Sequence, residues 1–206
     1  MTKLIFFALT ITFISCSKKD RVLPYYNSPD FEPRWEIAAD DSFHRIRPFR
    51  LLDQENNSFT EKNIDGKICV VDFFFTTCPG ICPKMTESMS VLQTEFISDN
   101  NVLLLSHSVI PDKDNVAVLK KYAADKNVDF KKWKLLTGSR SEIYDLGRKF
   151  YFVEEDEGVN REESVFLHTE NFILIDEQRR IRGIYNGLIP SSIQDLIRDI
   201  KDLERE

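Results

Sequence analysis

The stretch VVDFFFTTCPGICPKM, residues 70–85, decides how the chain is read. It begins as an apolar run and stops on two cysteines, Cys78 and Cys82, with three residues between them. Ile68 to Phe75 is nearly continuous in β-branched and aromatic residues, the composition of a strand buried on both faces of a sheet. Pro83 then sets the local geometry, because proline suits the first turn of a helix and pushes the residue before it out of helical space. The spacing predicts a helix from Pro83 to about Phe96, with Cys82 at its N-cap and Cys78 in the bend made by Pro79 and Gly80. Near the positive end of a helix a thiolate is favoured over a thiol, and thiolates both attack disulfides and bind soft metals. With this spacer the sulfurs can meet or spread around one ion, so the residues alone leave both chemistries open.

Working outward, the periodicities alternate. FRLLD (Phe49 to Asp53), an Asn56-Asn57 turn and a short return predict an N-terminal hairpin. Val102 to Val109 reads as a second buried strand, followed by a helix from about Asn115 to Lys126, a third strand at Trp133 to Leu136 and a helix over Ser141 to Lys149. Phe172 to Asp176 and Ile181 to Asn186 form a late hairpin, and Ile193, Leu196, Ile197, Ile200 and Leu203 recur at helical spacing in a closing amphipathic helix. This order is thioredoxin-like. The expected fold class is α/β, a central mixed β-sheet flanked by helices on both faces with the hairpin as an N-terminal extension.

The first fifteen residues, MTKLIFFALTITFIS, place Lys3 before an eleven-residue apolar run. Eleven residues at 1.5 Å rise span only about 16 Å, roughly half a bilayer core, which suits a secretory signal better than a membrane span. The run ends at Phe13-Ile14-Ser15-Cys16, similar to a bacterial lipobox, in which the cysteine is acylated and becomes the new N-terminus. Residues 1–15 are thus expected as a lipoprotein-type signal peptide. Residues 16–45, with Pro24, Pro29 and Pro33, are expected as an extended tether. Residues 46–206 are expected as one domain. These features place the domain outside the cytoplasm in a bacterial cell envelope, held to the membrane by lipid at Cys16. Of the four cysteines, Cys16, Cys69, Cys78 and Cys82, three remain once Cys16 carries lipid, an odd number that does not make a disulfide framework. A net charge of −6 supplies no basic field for nucleic acid, which is set aside as a partner.

Three segments carry a family resemblance: DFFFTTCPGICPKMTESMSVLQTEF (Asp72 to Phe96), LKKYAADKNVDFKKWKLLTGSRSEIYDLGRKFYF (Leu119 to Phe152) and FLHTENFILIDEQRRIRGIYNG (Phe166 to Gly187). Together they resemble the Sco/SenC family of copper-binding assembly proteins. The resemblance implies a thioredoxin-like fold and one copper ion, Cu(I) or Cu(II), held by Cys78, Cys82 and His168. It implies a metallochaperone that serves the binuclear copper centre of cytochrome c oxidase, so the expected partners are cytochrome c oxidase subunit II or another cuproprotein, with a thiol reductant. Two thiolates suit Cu(I) and an imidazole adds affinity for Cu(II). The chain departs from the family at Ser108-Val109-Ile110-Pro111, where many members carry an acid in place of Ile110.

Asp72, a carboxylate in an apolar strand six residues before Cys78, either supports the thiol site from behind, as the similarly placed acid of thioredoxins does, or turns to solvent or a backbone donor. Cys69 is expected to be inert core. Met85 and Met89 share the Cys82 side of the helix and are expected as core. His107 is a minor candidate to face the site, His44 is expected to be solvated on the arm, and Glu154 to Glu163 is expected as an acidic surface loop. The competing functions are a thiol-disulfide oxidoreductase using Cys78 and Cys82 as a redox pair, a peroxide-reducing or redox-sensing protein, and a structural disulfide. Dependence on His168 separates the copper reading from the oxidoreductase.

Overall fold

The computed structural model describes residues 22–35, 43–154 and 166–206. The expected signal peptide and Cys16 lie outside them. Among the described residues seven strands form one sheet in the order β2-β1-β5-β4-β3-β6-β7. They are β1 (Arg50–Asp53), β2 (Ser58–Thr60), β3 (Ile68–Phe74), β4 (Val102–Ser108), β5 (Trp133–Thr137), β6 (Asn171–Ile175) and β7 (Ile181–Asn186). The helices are α1 (Cys82–Glu95), α2 (Val116–Asp125), α3 (Arg140–Asp145), extended by a π-helical turn at Leu146–Phe150, and α4 (Pro190–Leu203). β3, β4 and β5 run parallel, while β1 on β5 and β6 on β3 are antiparallel, which makes the sheet mixed as expected.

Every residue of β3 is buried, because both faces of the sheet are covered. Val70 and Phe74 point into a core with Met85, Met89 and Leu92 of α1 and Leu196 and Ile200 of α4. Cys69, Val71 and Phe73 point the other way, against Ile143, Leu146 and Tyr151. The two methionines are fully buried, as the spacing predicts. Cys69 is equally buried, and burial pushes its thiol far up, so it is inert.

The parallel register aligns three strand beginnings at one pole and three carboxyl ends at the other. β6, being antiparallel, starts at the pole where β3 ends. The turn after β3 and the segment before β6 therefore meet at one end of the sheet, where open α/β folds carry their sites.

Residues 22–35, within the stretch read as a tether, lie against this domain. Tyr26 bridges Ile181 of β7, and Leu23 and Tyr25 are buried. The buried guanidinium of Arg182 sits 4.2 Å from the Tyr25 ring and donates to the carbonyl oxygens of Leu23 and Pro24. His44 is not solvated: its Nε2 hydrogen-bonds the Phe150 carbonyl at 2.7 Å and its ring lies 4.2 Å from Phe152.

Candidate thiol and metal site

β3 delivers its last residue, Phe74, to a turn that folds back on itself: Cys78 N–H donates to the Phe75 carbonyl at 3.3 Å. The helix begins one residue earlier than the sequence predicts, at Cys82 with Pro83 second, because the Lys84 and Met85 amides already donate to the Ile81 carbonyl. Cys82 is thus in the first turn, 4 % exposed, while Cys78 is half-buried in the bend outside it.

Both cysteines are free thiols that hydrogen-bond each other. Burial works against ionising Cys78, but the Cys82 thiol and the backbone N–H groups of Cys82, Gly80 and Ile81 donate to its sulfur and lower its pKa overall. Cys82 is pushed up to about 12, first by burial, then by donating its proton to Cys78, with the Asp72 and Cys78 charges adding. Cys78 is therefore the more readily ionised of the two thiols.

Asp72 is 2 % exposed and lies on the same face of the sheet as the thiols. Burial raises its pKa to about 7, against opposing hydrogen bonds from the Ser106 hydroxyl and its own backbone. Its Oδ1 has no hydrogen-bond partner. Ser106 is itself held by the Trp133 indole N–H at 2.8 Å. The structure therefore turns Asp72 inward and away from solvent.

Asp114 is a site residue the sequence analysis did not single out. It is fully buried and accepts three hydrogen bonds, from Thr76 N at 3.0 Å, Thr76 Oγ1 at 2.6 Å and Ser108 Oγ at 2.6 Å. This carboxylate ties the loop two residues before Cys78 to the end of β4. Its partners lie 38 and 6 residues away, so no local pattern marks it.

His168 sits in the segment entering β6, at the carboxyl end of β3, with its side chain exposed. Phe166, two residues earlier, packs edge-on against Phe75, three residues before Cys78, with ring centroids 5.5 Å apart. On the other side Leu167 is buried against Gly147, where a β-carbon would stand 2.7 Å from Leu167 Cδ1 and 3.0 Å from Phe73 Cε1. The His168 segment is thus seated beside the cysteine turn. Among the described residues, however, no three His, Cys, Asp or Glu side chains converge closely enough to hold a metal ion.

His107 does not face the site. The strand parity that places Asp72 and Ser106 toward α1 places His107 on the opposite face, stacked on Phe73 at 4.9 Å and near Tyr151 at 5.4 Å. Ile110 packs at the edge of that second core. Glu154, read as the start of a surface loop, is buried and paired with Arg148 at 2.8 Å; residues 155–163 lie outside the described residues.

A model of the SCO1/SenC family matches residues 38–204. The SCO1 protein homolog of Bacillus subtilis (strain 168) is 33 % identical over 162 residues, which is 77 % of this chain and 82 % of that protein. The crystal structure of a SCO1/SenC family lipoprotein from Bacillus anthracis str. Ames aligns with a TM-score of 0.68 at 31 % identity, over 78 % of this chain and 95 % of that one. BsSco, described as a Sco family cytochrome c oxidase assembly protein with a disulfide switch, aligns with a TM-score of 0.66 at 30 % identity, covering 79 % and 94 % of the two chains. Yeast Sco1 with copper bound aligns with a TM-score of 0.56 at 25 % identity, covering 75 % and 91 %.

Proposed function

We propose a function from one premise: this chain belongs to the SCO1/SenC family. It binds one copper ion as cargo and takes part in assembling a copper centre of cytochrome c oxidase. Cys78 and Cys82 supply the thiolates and His168 the imidazole, and the ion passes by ligand exchange to a cuproprotein such as oxidase subunit II. The observation that carries this reading is the pair of free, mutually hydrogen-bonded thiols at the end of β3, with the His168 segment packed beside their turn. Two sulfurs suit Cu(I), while a third donor on a neighbouring segment adds Cu(II). The B. anthracis relative is a lipoprotein, which supports an envelope location with lipid at Cys16.

The test is a copper titration of the fully reduced chain against a competing chelator, following the thiolate-to-copper absorption, beside His168→Ala. One equivalent should bind tightly, with Cu(II) affinity falling at least tenfold in the variant and Cu(I) affinity nearly kept. Weak binding indifferent to His168 would overturn the copper reading.

A second reading is favoured by the unequal thiols. The Cys78 thiolate attacks one sulfur of a target disulfide, forming a mixed disulfide and releasing a target thiolate, which takes a proton. Cys82 gives its proton to a base, the role this reading gives to Asp72, whose charge acts on Cys82, and its sulfur attacks Cys78. The target leaves as a dithiol, and Cys78–Cys82 becomes a disulfide that an external thiol reductant restores. Mapping by alkylation should find Cys78 modified first, at a lower pH than an ordinary cysteine needs, with Cys82 inert; equal reactivity would remove this reading.

A further inference from the structure

The pole opposite Cys78 and Cys82, where the parallel strands begin, gathers lysines. Lys67 precedes β3, Lys131 and Lys132 precede β5, and Lys134 is its second residue. With Asn63 and Asn100 they line a cleft of about 490 Å³ in which Asp129 is the single acid among the lining residues. Four lysines around one cleft stand out on a chain whose net charge is −6.

These ammonium groups are built in rather than scattered. Lys132 is 5 % exposed, and its Nζ donates to the Val102 carbonyl at 2.7 Å and to the Asp99 carbonyl. Lys67 Nζ donates to the Asn100 carbonyl at 3.0 Å. Carbonyl oxygens hold these two in place, and the Asp99, Asp129 and Glu204 carboxylates also face Lys132, whose burial disfavours its charge. Lys134 is paired with Asp53 at 3.1 Å, and Lys131 is exposed with no ion-pair partner for its ammonium among the described residues. Ile97 on the wall of the cleft and Phe130, whose ring lies 6.0 Å from Lys134 Nζ, are about half exposed. Cations beside exposed apolar side chains are what an anionic membrane interface takes up.

With lipid on Cys16, the path of the chain would bring that surface near a bilayer. Leu23 N–H donates to Glu206 at 2.9 Å, Glu204 of the same terminus hydrogen-bonds Asp99, and the Asp99 carbonyl accepts from Lys132. Residue 22 therefore enters the domain at the lysine pole. Cys16 is six residues upstream, a span of at most about 20 Å when fully extended.

We propose that this cleft binds the phosphate of an anionic lipid headgroup, which holds the domain with its lysine pole on the bilayer and presents Cys78, Cys82 and His168 to partners in the aqueous space. The proximity argument rests on the lipid anchor at Cys16. The thiol chemistry at the other pole is independent of it.

The test reconstitutes the full chain in discs of phosphatidylcholine alone or with phosphatidylglycerol and maps lysine acetylation by mass spectrometry. The mass of the N-terminal peptide reports lipid on Cys16; if lipid is absent, the same lipids are added as vesicles to the free chain and the same comparison decides. Phosphatidylglycerol should protect Lys67, Lys131 and Lys134 about fivefold over phosphatidylcholine, and Lys67→Gln with Lys131→Gln should abolish protection of Lys134 while Cys78 alkylation stays unchanged. Equal labelling in both lipids overturns the proposal. So does protection by inorganic phosphate in phosphatidylcholine with none from phosphatidylglycerol, which would assign the cleft to a free anion. Neither result touches copper binding, so failure here is distinguishable from failure of the copper reading.

Discussion

Asp72 is the one carboxylate in the otherwise apolar strand β3, and every residue of that strand is buried. Its carboxyl is buried with one oxygen unpartnered, and burial raises its pKa to about 7 from an ordinary value near 3.8. In the unfolded chain the group ionises at the ordinary value. Between roughly pH 4 and 7 the native state therefore binds more protons than the unfolded one, so stability falls as pH rises through that window. The shift corresponds to a cost of up to about 4 kcal/mol above pH 7. Asp72→Asn should unfold at nearly the same temperature as the parent at pH 4 and several degrees higher at pH 8, in thermal melts of the reduced protein. Unchanged melting at pH 8 would mean that the carboxylate is solvated. If the acid also takes the Cys82 proton, the variant should be slower in disulfide exchange although more stable. That combination marks a residue kept for chemistry at a cost in stability.

At the scale of elements, the turn between β3 and α1 is held from behind by β4. Asp114 accepts three hydrogen bonds that fix Thr76 and Ser108, and a charged acceptor makes each stronger than a neutral one. Asp114→Asn should cost about 3 kcal/mol in chemical denaturation. It should also make Cys78 alkylate with an altered pH midpoint, because the loop that aims backbone amides at its sulfur is released; full stability with an unchanged midpoint would contradict this role. Much of this architecture was legible in the chain. The unbroken apolar run of β3, the Pro83 helix start and the helical spacing of α4 each have one cheap structural solution, and the observed helix start differs by one residue. The face of His107 was not legible, because VLLLSHS is apolar on both parities and only pairing with β3 decides that Ser106, not His107, shares a side with Asp72. Asp114 was hidden for the same reason: its partners come from tertiary contacts. His44 was misread as solvated because the aromatic shelf of Phe150 and Phe152 is remote in sequence.

Across the whole molecule, the two poles of the sheet differ in chemistry. The carboxyl ends of the parallel strands carry the thiols, with the His168 segment beside them, and the amino ends carry the lysine cleft and the entry of residues 22–35. The His168 segment is the part least determined by the cysteine turn, since it touches that turn through Phe75 and Phe166 and rests on Gly147 behind. A β-carbon at Gly147 would meet Leu167 and Phe73 too closely, so Gly147→Ala should shift the segment and lower Cu(II) affinity while Cu(I) binding by the two sulfurs persists. Equal loss of both would place the damage in the fold rather than in the His168 segment. The central claim, a copper ion held by two cysteines and one histidine from two neighbouring segments, is tested most directly by X-ray absorption of the copper(II)-loaded chain. Two sulfur scatterers are expected, with an imidazole shell that disappears in His168→Ala. A spectrum with no sulfur, or with an imidazole shell unchanged in that variant, would contradict it.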